Sequence, residues 1–270
     1  MTTGNPLVTH PLIDKVSFTG SYLTGSRIMG TSSEGTKSVT LELGGKSSLI
    51  CFEDADLNSA IDWILCSIFW NSGQICSATS RLLVHSSIKD KVLQRLVEET
   101  KKIQVGDGMK EGTKMGPIVS KNQYEKVKRY IQSGIKEGAV LLTGGIPDPS
   151  EFPEGGYFIR PTIFDNVNQS MTIWREEIFG PVLMIQTFDT EEEAIHMAND
   201  SEYGLAGAVF STNEERCNRV VKKLKVGITW INCAQPQDIR LPVNSKNLYL
   251  NEIYLKCFFF FLISFVNTFK

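Results

Sequence analysis

The chain has 270 residues, a formal net charge of −2 (28 Lys and Arg against 30 Asp and Glu) and 41% hydrophobic residues, enough for a sizeable core in one or two domains. The near balance of charge, with no basic stripe interleaved with aromatics, argues against a nucleic-acid-binding protein. Cys51, Cys66, Cys76, Cys217, Cys233 and Cys257 stand far apart with no Cys-x-x-Cys pair, so neither a zinc site nor a disulfide framework is expected, no metal is assigned, and a reducing compartment is favoured.

Met1 to Pro6 shows no basic stretch followed by an apolar run, so no secretory signal is read there. Val16 to Thr19 reads as a buried strand ending at Gly20-Ser21, and Val39 to Leu43 as a second ending at Gly44-Gly45, with a short helix over Thr24 to Ser32 between them. This is a small βαβ unit. From Asp56 the apolar residues Leu57, Ile61, Ile64, Leu65 and Ile68 fall at helical spacing. A strand over Arg81 to His85 follows, then a helix marked by Val92, Leu93, Leu96 and Val97.

Three further helix starts carry capping-box spacing: Ser120 with Gln123, Thr190 with Glu193, and Thr212 with Glu215. Strands are expected near Val140 to Leu142, Val182 to Ile185, Ala208 to Phe210 and Ile228 to Ile231. The fold class is α/β throughout. After Gln237 the pattern breaks. Asp238 to Lys270 shows no clean period, and its apolar run, Cys257 to Val266, is about half of the ~20 residues a membrane helix needs. No membrane partner is expected, and Phe258 to Phe261 would favour aggregation if exposed.

Several residues invite chemistry. Gly73-Gln74-Ile75-Cys76 puts a thiol near the end of an apolar helix beside a glycine turn. A thiolate there is a strong nucleophile once a base or a lowered pKa supports it, although a lone cysteine is more often a small buried hydrophobe. Glu42 sits in an apolar strand before two glycines; it suits a general base or an ion pair equally. Phe18-Thr19-Gly20-Ser21 with Gly25 is a strand running through glycine into a helix, a start that suits a diphosphate although it lacks GxGxxG spacing. Glu176 to Pro181 reads as a turn bearing acid and aromatic groups.

In combination these stretches resemble the aldehyde dehydrogenase superfamily: Val39-Thr-Leu-Glu42-Leu-Gly-Gly-Lys46, Gly73-Gln-Ile-Cys76 and Glu176-Glu-Ile-Phe-Gly-Pro181, in that order, with Phe18-Thr-Gly-Ser21 before them and Gly204-Leu205 and Trp230-Ile-Asn232 after. The resemblance covers about Pro6 to Gln237. It implies an aldehyde dehydrogenase-like α/β fold: a partial Rossmann-type cofactor domain over residues 1–45, an α/β catalytic domain over 46–237, and a non-family tail over 238–270. It also implies NAD-dependent oxidation of an aldehyde, with NADP as the alternative cofactor. Cys76 matches the nucleophile and Glu42 the general base. Gly20, Ser21 and Gly25 match the stretch that meets the diphosphate, and Leu43 the position whose carbonyl holds the carboxamide. Glu177 matches the acid on the nicotinamide ribose, and Phe179 packs near the nicotinamide. The backbone N–H of Cys76 matches one donor of the oxyanion hole.

Trp70 to Arg81, Ile173 to Pro181 and Trp230 to Pro236 look like the plant betaine aldehyde and aminoaldehyde dehydrogenases. In those enzymes the position of Trp70 joins an aromatic box around a cationic amine, which cation–π attraction explains; ordinary core packing is the other reading. Ile228 matches a position beside the box, where a branched side chain crowds a trimethylammonium and admits a primary amine. A thioester-forming relative that passes its acyl group to coenzyme A would not need Glu42 as a water base. Tyr22 departs from the small residue usual in the family, and Asp238-Ile-Arg240 replaces its Pro-Trp-Gly-Gly stretch. These departures, with the cofactor segment that the family carries before Pro6, give the alternative of a catalytically inactive fragment that binds NAD poorly. The resemblance further implies a homodimer in the family, lost here, a small-molecule aldehyde as the partner, and a cytoplasmic location by default, with chloroplast or peroxisome as the alternatives for a full-length member.

Overall fold

The computed structural model describes residues 3–152, 155–236 and 254–256. Its contacts divide the chain into two compact units, Met1–Gly44 and Gly45–Lys270.

In the first unit a short helix α1 (Gly4–Thr9) precedes strand β1 (Lys15–Thr19), helix α2 (Tyr22–Ser33) and strand β2 (Ser38–Glu42). The two strands pair in parallel with Lys15 opposite Ser38 and Thr19 opposite Glu42, so the expected βαβ unit is present. Two details differ from expectation. The helix begins at Tyr22, because Ser21 caps it by accepting the Thr24 N–H. And β1 alternates exposed with half-buried residues instead of being buried, as expected when only two strands pair and a helix covers one face.

The second unit is built on a mixed sheet. Its strands are β3 (Ser48–Cys51), β4 (Arg81–His85), β5 (Val140–Gly145), β6 (Arg160–Asp165), β7 (Val182–Phe188), β8 (Ala206–Phe210), β9 (Ile228–Ile231) and β10 (Tyr254–Lys256), in the order β10-β9-β8-β3-β4-β7-β6-β5. All neighbours are parallel except β5 against β6. The connecting helices are α3 (Leu57–Phe69), α4 (Lys89–Lys101), α5 (Lys121–Lys136), α6 (Thr172–Arg175), α7 (Glu191–Asn199) and α8 (Glu214–Lys223).

Alternation along the central strands splits the core by face. Leu49, Cys51, Leu82, Val84, Leu183 and Ile185 pack with α3 and α4; Ile50, Leu83, Val182 and Met184 pack with α5, α7 and α8. Three strands, β3, β6 and β10, were not expected from the sequence; β10 falls in the 238–270 stretch read as a tail outside the α/β pattern, yet it pairs in parallel with β9. β3 is a short run buried on both faces with no alternation to mark it. β6 contains Pro161, which is tolerated because β5 is bulged opposite it: Gly144 has φ +85°, and a Cβ there would lie 2.1 Å from the Pro161 carbonyl oxygen.

The caps also differ in part. Ser120 and Thr190 cap α5 and α7 by accepting the amides of Gln123 and Glu193. For α8 the cap is Asn213, one residue later than expected. Thr212 instead donates to Asp54 at 2.9 Å.

The strongest tertiary tie in this unit is Arg81, only 2% exposed. Its Nε donates to the Lys46 carbonyl (2.8 Å), Nη1 to that of Met197 (3.1 Å) and Nη2 to that of Ala198 (2.7 Å), with its guanidinium 5.2 Å from the Trp174 ring centroid. One side chain thereby joins the start of β4, the approach to β3 and the C-terminal carbonyls of α7, where a cation complements the helix dipole. Burial lowers its pKa to about 10, so it stays charged at neutral pH. Arg81→Met should lower stability by about 3 kcal/mol, because it strands several buried carbonyls. Urea unfolding checks this, and Arg81→Lys should not restore stability, since an ammonium cannot span the same fork. An unchanged midpoint would show that water takes over the carbonyls.

Candidate active site

Cys76 lies on a tight turn between α3 and β4. α3 ends at Phe69, and Asn71, Ser72 and Gly73 then take left-handed backbone conformations with φ of 50°, 56° and 70°. This reverses the chain sharply, a conformation that persists in non-glycine residues only where surrounding structure imposes it. Here Ser72 Oγ donates to the Gly116 carbonyl (2.8 Å), and Gln74 Oε1 accepts the Val119 N–H (2.9 Å). The Ala78 N–H then closes a turn onto the Ile75 carbonyl at 3.1 Å, with Cys76 and Ser77 as its central residues. Cys76 is half-buried and in no disulfide.

Two glycines let other backbone approach this turn. A Cβ on Gly73 would sit 2.2 Å from the Gly180 carbonyl oxygen, so the cysteine loop packs directly on the 176–181 turn. A Cβ on Gly45 would sit 2.5 Å from the Cys76 carbonyl oxygen.

The 176–181 turn is held by several groups. The Gly45 N–H donates to Glu177 Oε1 (3.1 Å), and Lys46 Nζ donates to the Glu176 carbonyl (2.5 Å). Gln123 Nε2 donates to the carbonyls of both Ile178 and Phe179 at 2.9 Å. Phe179 has φ 57°, another left-handed residue under imposed geometry. Burial raises the Glu177 pKa, opposed by the Gly45 N–H, Lys126 and Lys46. Burial and the Arg81 charge push the Lys46 pKa well below its ordinary value, opposed by Glu177 and Glu176. Thus Cys76, Glu177 and Phe179 sit on two turns of one unit that touch through glycines. Lys46, Gln123 and Gly45, which hold those turns, were not singled out as site residues from the sequence.

Ile228 opens β9 at 7% exposure and belongs to the same apolar cluster that Cys76 packs against. Trp70 is 45% exposed at the end of α3.

The remaining predicted residues lie in the first unit. Gly20 follows β1, its N–H donating to the Glu42 carbonyl (3.0 Å), and Ser21 caps α2. Gly25 is inside the first turns of α2 and not in the loop before it. A Cβ there would lie 2.5 Å from Leu43 Cδ2, so its visible role is close packing on Leu43. Glu42 closes β2 half-buried, and burial raises its carboxyl pKa. Among the described residues no group of three or more His, Cys, Asp and Glu side chains is arranged to hold a metal, and no helix is long and apolar enough to cross a membrane. The apolar run from Cys257 to Val266 lies outside the described residues.

The Gly45 cradle is testable. Gly45→Ala should force the cysteine turn outward, at an overpacking cost of about 1–3 kcal/mol. The thermal midpoint should fall and the iodoacetamide alkylation rate at Cys76, followed by peptide mass spectrometry, should change. A wild-type midpoint together with a wild-type rate would show that the cradle has room for a methyl group.

Comparison with known proteins identifies the family. The profile of the Aldehyde dehydrogenase family matches residues 1–244. Chloroplastic betaine aldehyde dehydrogenase of Atriplex hortensis is 53% identical over 239 residues, covering 88% of this chain and 47% of the relative. Peroxisomal aminoaldehyde dehydrogenase 2 of Pisum sativum is 53% identical over 233 residues, covering 86% and 46%. The chain therefore spans about half the length of the curated relatives it matches. Among solved structures, the NAD+ complex of aldehyde dehydrogenase from Bacillus cereus is similar at 46% identity and a TM-score of 0.86, over 90% of this chain and 48% of that one. Betaine aldehyde dehydrogenase from Staphylococcus aureus, also in complex with NAD+, is similar at 43% identity and a TM-score of 0.87, over the same two shares. With its profile match, its α/β fold and its cysteine turn together, the chain belongs to the aldehyde dehydrogenase family.

Proposed function

We propose that this protein oxidises an aldehyde to a carboxylic acid with NAD, using Cys76 as nucleophile and Glu42 as general base. The observation that carries the proposal is the cysteine turn: a half-exposed thiol held by imposed left-handed backbone and packed through Gly73 against the turn bearing Glu177 and Phe179.

The residues present fit a dinucleotide. Ser21 caps the Thr24 amide at the start of α2 after Gly20, and a helix start with its unpaired first amides suits a diphosphate. Glu177 presents a carboxylate with one oxygen held by Gly45, suited to a ribose hydroxyl, and Phe179 an aromatic face for the nicotinamide. Gly25 and Leu43 are assigned to the cofactor by the positions they match in the family, Gly25 close-packed on Leu43 and Leu43 through its carbonyl. The bound nicotinamide supplies one thing, an acceptor for hydride. NAD is preferred over NADP because both structural relatives named above are NAD+ complexes.

The chain's own residues supply the rest. The Cys76 thiolate adds to the carbonyl carbon, forming a C–S bond while the carbonyl π pair moves to oxygen, where the Cys76 N–H donates. Loss of hydride from that carbon leaves a thioester on Cys76. Glu42 takes a proton from water, whose oxygen attacks the thioester carbon; the C–S bond breaks, the acid leaves and the thiolate is restored. A raised Glu42 pKa suits this task. The substrate class is an ω-aminoaldehyde or betaine aldehyde, supported by the names of the relatives, by Trp70 as an aromatic group 45% exposed, and by Ile228 in the apolar cluster that Cys76 packs against.

In the full-length protein Cys76→Ala should abolish NADH production while the circular dichroism spectrum is retained; substantial residual turnover removes Cys76 from the nucleophile's role. Glu42→Gln should give one burst of NADH per site and then stall, with steady-state turnover down about 10²–10⁴-fold. Because burial raises the Glu42 pKa, wild-type deacylation should fall as pH drops through that raised value, and this limb should be missing in Glu42→Gln. An unchanged steady-state rate would assign the base elsewhere.

A further inference from the structure

Beyond the cysteine turn, the segment that follows β9 holds a side chain with no role in the chemistry above. Gln235 is 7% exposed and has φ 80°, a strained conformation for glutamine. Its carboxamide is nearly saturated by the cysteine turn. Oε1 accepts the Ser77 hydroxyl at 2.7 Å, and Nε2 donates to the Ser77 carbonyl at 3.1 Å and to the Ser67 carbonyl of α3 at 3.3 Å. Ser77, the residue after the nucleophile, is thereby gripped at both its hydroxyl and its carbonyl by one rigid amide. Ser67 Oγ, in turn, meets Thr79 Oγ1 at 2.5 Å, so the turn is bracketed from Ser67 to Thr79. The segment bearing Gln235 is itself anchored, since Trp230 Nε1 donates to the Pro236 carbonyl at 3.0 Å and Asn232 Nδ2 to the Ser211 carbonyl at 3.0 Å.

We infer that Gln235 is a positioning residue for Cys76: its carboxamide clamps Ser77 and so fixes the torsions of the turn that aims the thiol. The inference rests on the reading of Cys76 as nucleophile. The geometry favours a positioning role over filler because the contacts are directional. A buried apolar side chain of equal volume would fill the space and leave the Ser77 hydroxyl, the Ser77 carbonyl and the Ser67 carbonyl without partners. Three further features restrict the same turn: the Gly45 cradle against the Cys76 carbonyl, the Ala78 to Ile75 bond and the left-handed run before it. Only the Ser77 side of the turn depends on Gln235.

The test uses the full-length protein with Gln235→Glu, which preserves shape, and Gln235→Met, which preserves volume. An ionised Glu at this position would set a carboxylate oxygen against two carbonyls, whereas its protonated form donates to one of them. The rate of the NADH burst with an aldehyde should fall by about 10²-fold in both variants, the scale of a misplaced reacting group, with KM for NAD unchanged. For Gln235→Glu the burst rate should recover as pH falls, a limb absent from wild type and from Gln235→Met. The alkylation rate of Cys76 by iodoacetamide should change in parallel. If Gln235→Glu does not fold, Ser77→Ala removes the hydroxyl half of the clamp from the other partner and should give a smaller fall in the burst rate. Folded variants with wild-type burst and alkylation rates overturn the inference. A wild-type protein with no burst overturns instead the dehydrogenase reading, and the alkylation rate, which needs no substrate, then still decides whether Gln235 sets the turn.

Discussion

Two buried cations satisfied mainly by main-chain oxygen hold the second unit together. Lys46 and Arg81 are each 2% exposed. Removing a charge from water is costly unless hydrogen bonds replace the lost hydration. Arg81 uses its fork on carbonyls from two distant stretches, and one of those carbonyls belongs to Lys46, whose own ammonium reaches the Glu176 carbonyl. The chain of contacts therefore runs from the end of α7 through Arg81 and Lys46 to the 176–181 turn, and Gly45 adds its N–H to Glu177. Carbonyl partners are fixed by backbone geometry, so the cations set the relative placement of these segments more tightly than flexible carboxylates would.

Strained backbone gathers where this frame meets the cysteine turn. Asn71, Ser72, Phe179, Asn232 and Gln235 all have positive φ without being glycine. Each conformation has a visible restraint: the Gln74 carbonyl on Asn71, Gly116 on Ser72, Gln123 on the carbonyl of Phe179, Ser211 on Asn232, Ser77 on Gln235. Such residues cost of order 1–3 kcal/mol each and persist where the surroundings over-determine them. That cost falls on the turns bearing Cys76 and Phe179 and on the segment after β9. A rigid scaffold carrying strained loops is the arrangement expected where side chains must be aimed.

The first unit works differently. Its short parallel pair, a capped helix and a glycine packed on Leu43 are all local features, set by contacts between near neighbours along the chain or across one strand pair.

That difference explains what the sequence by itself determined. Helical spacing located α3 because that signal repeats within a few residues, β4 and β9 were read as short apolar runs, and Ser120 and Thr190 were legible as caps because a cap bonds three residues ahead. Family resemblance singled out Cys76, Glu42, Glu177 and Phe179 without any geometry. Local pattern was insufficient where partners come from afar. β3 has no alternation because both its faces are covered, and β6 carries a proline that only the Gly144 bulge on its neighbour accommodates. Thr212 yields the cap of α8 to Asn213 because Asp54, far back in the chain, takes its hydroxyl. The tertiary structure alone decided that Lys46 and Arg81 would be buried, that Gly45 would stand against Cys76, and that Gln235 would grip Ser77. Hydrogen bonds and close contacts between distant segments leave no period along the chain; they exist only once the sheet has brought those segments together.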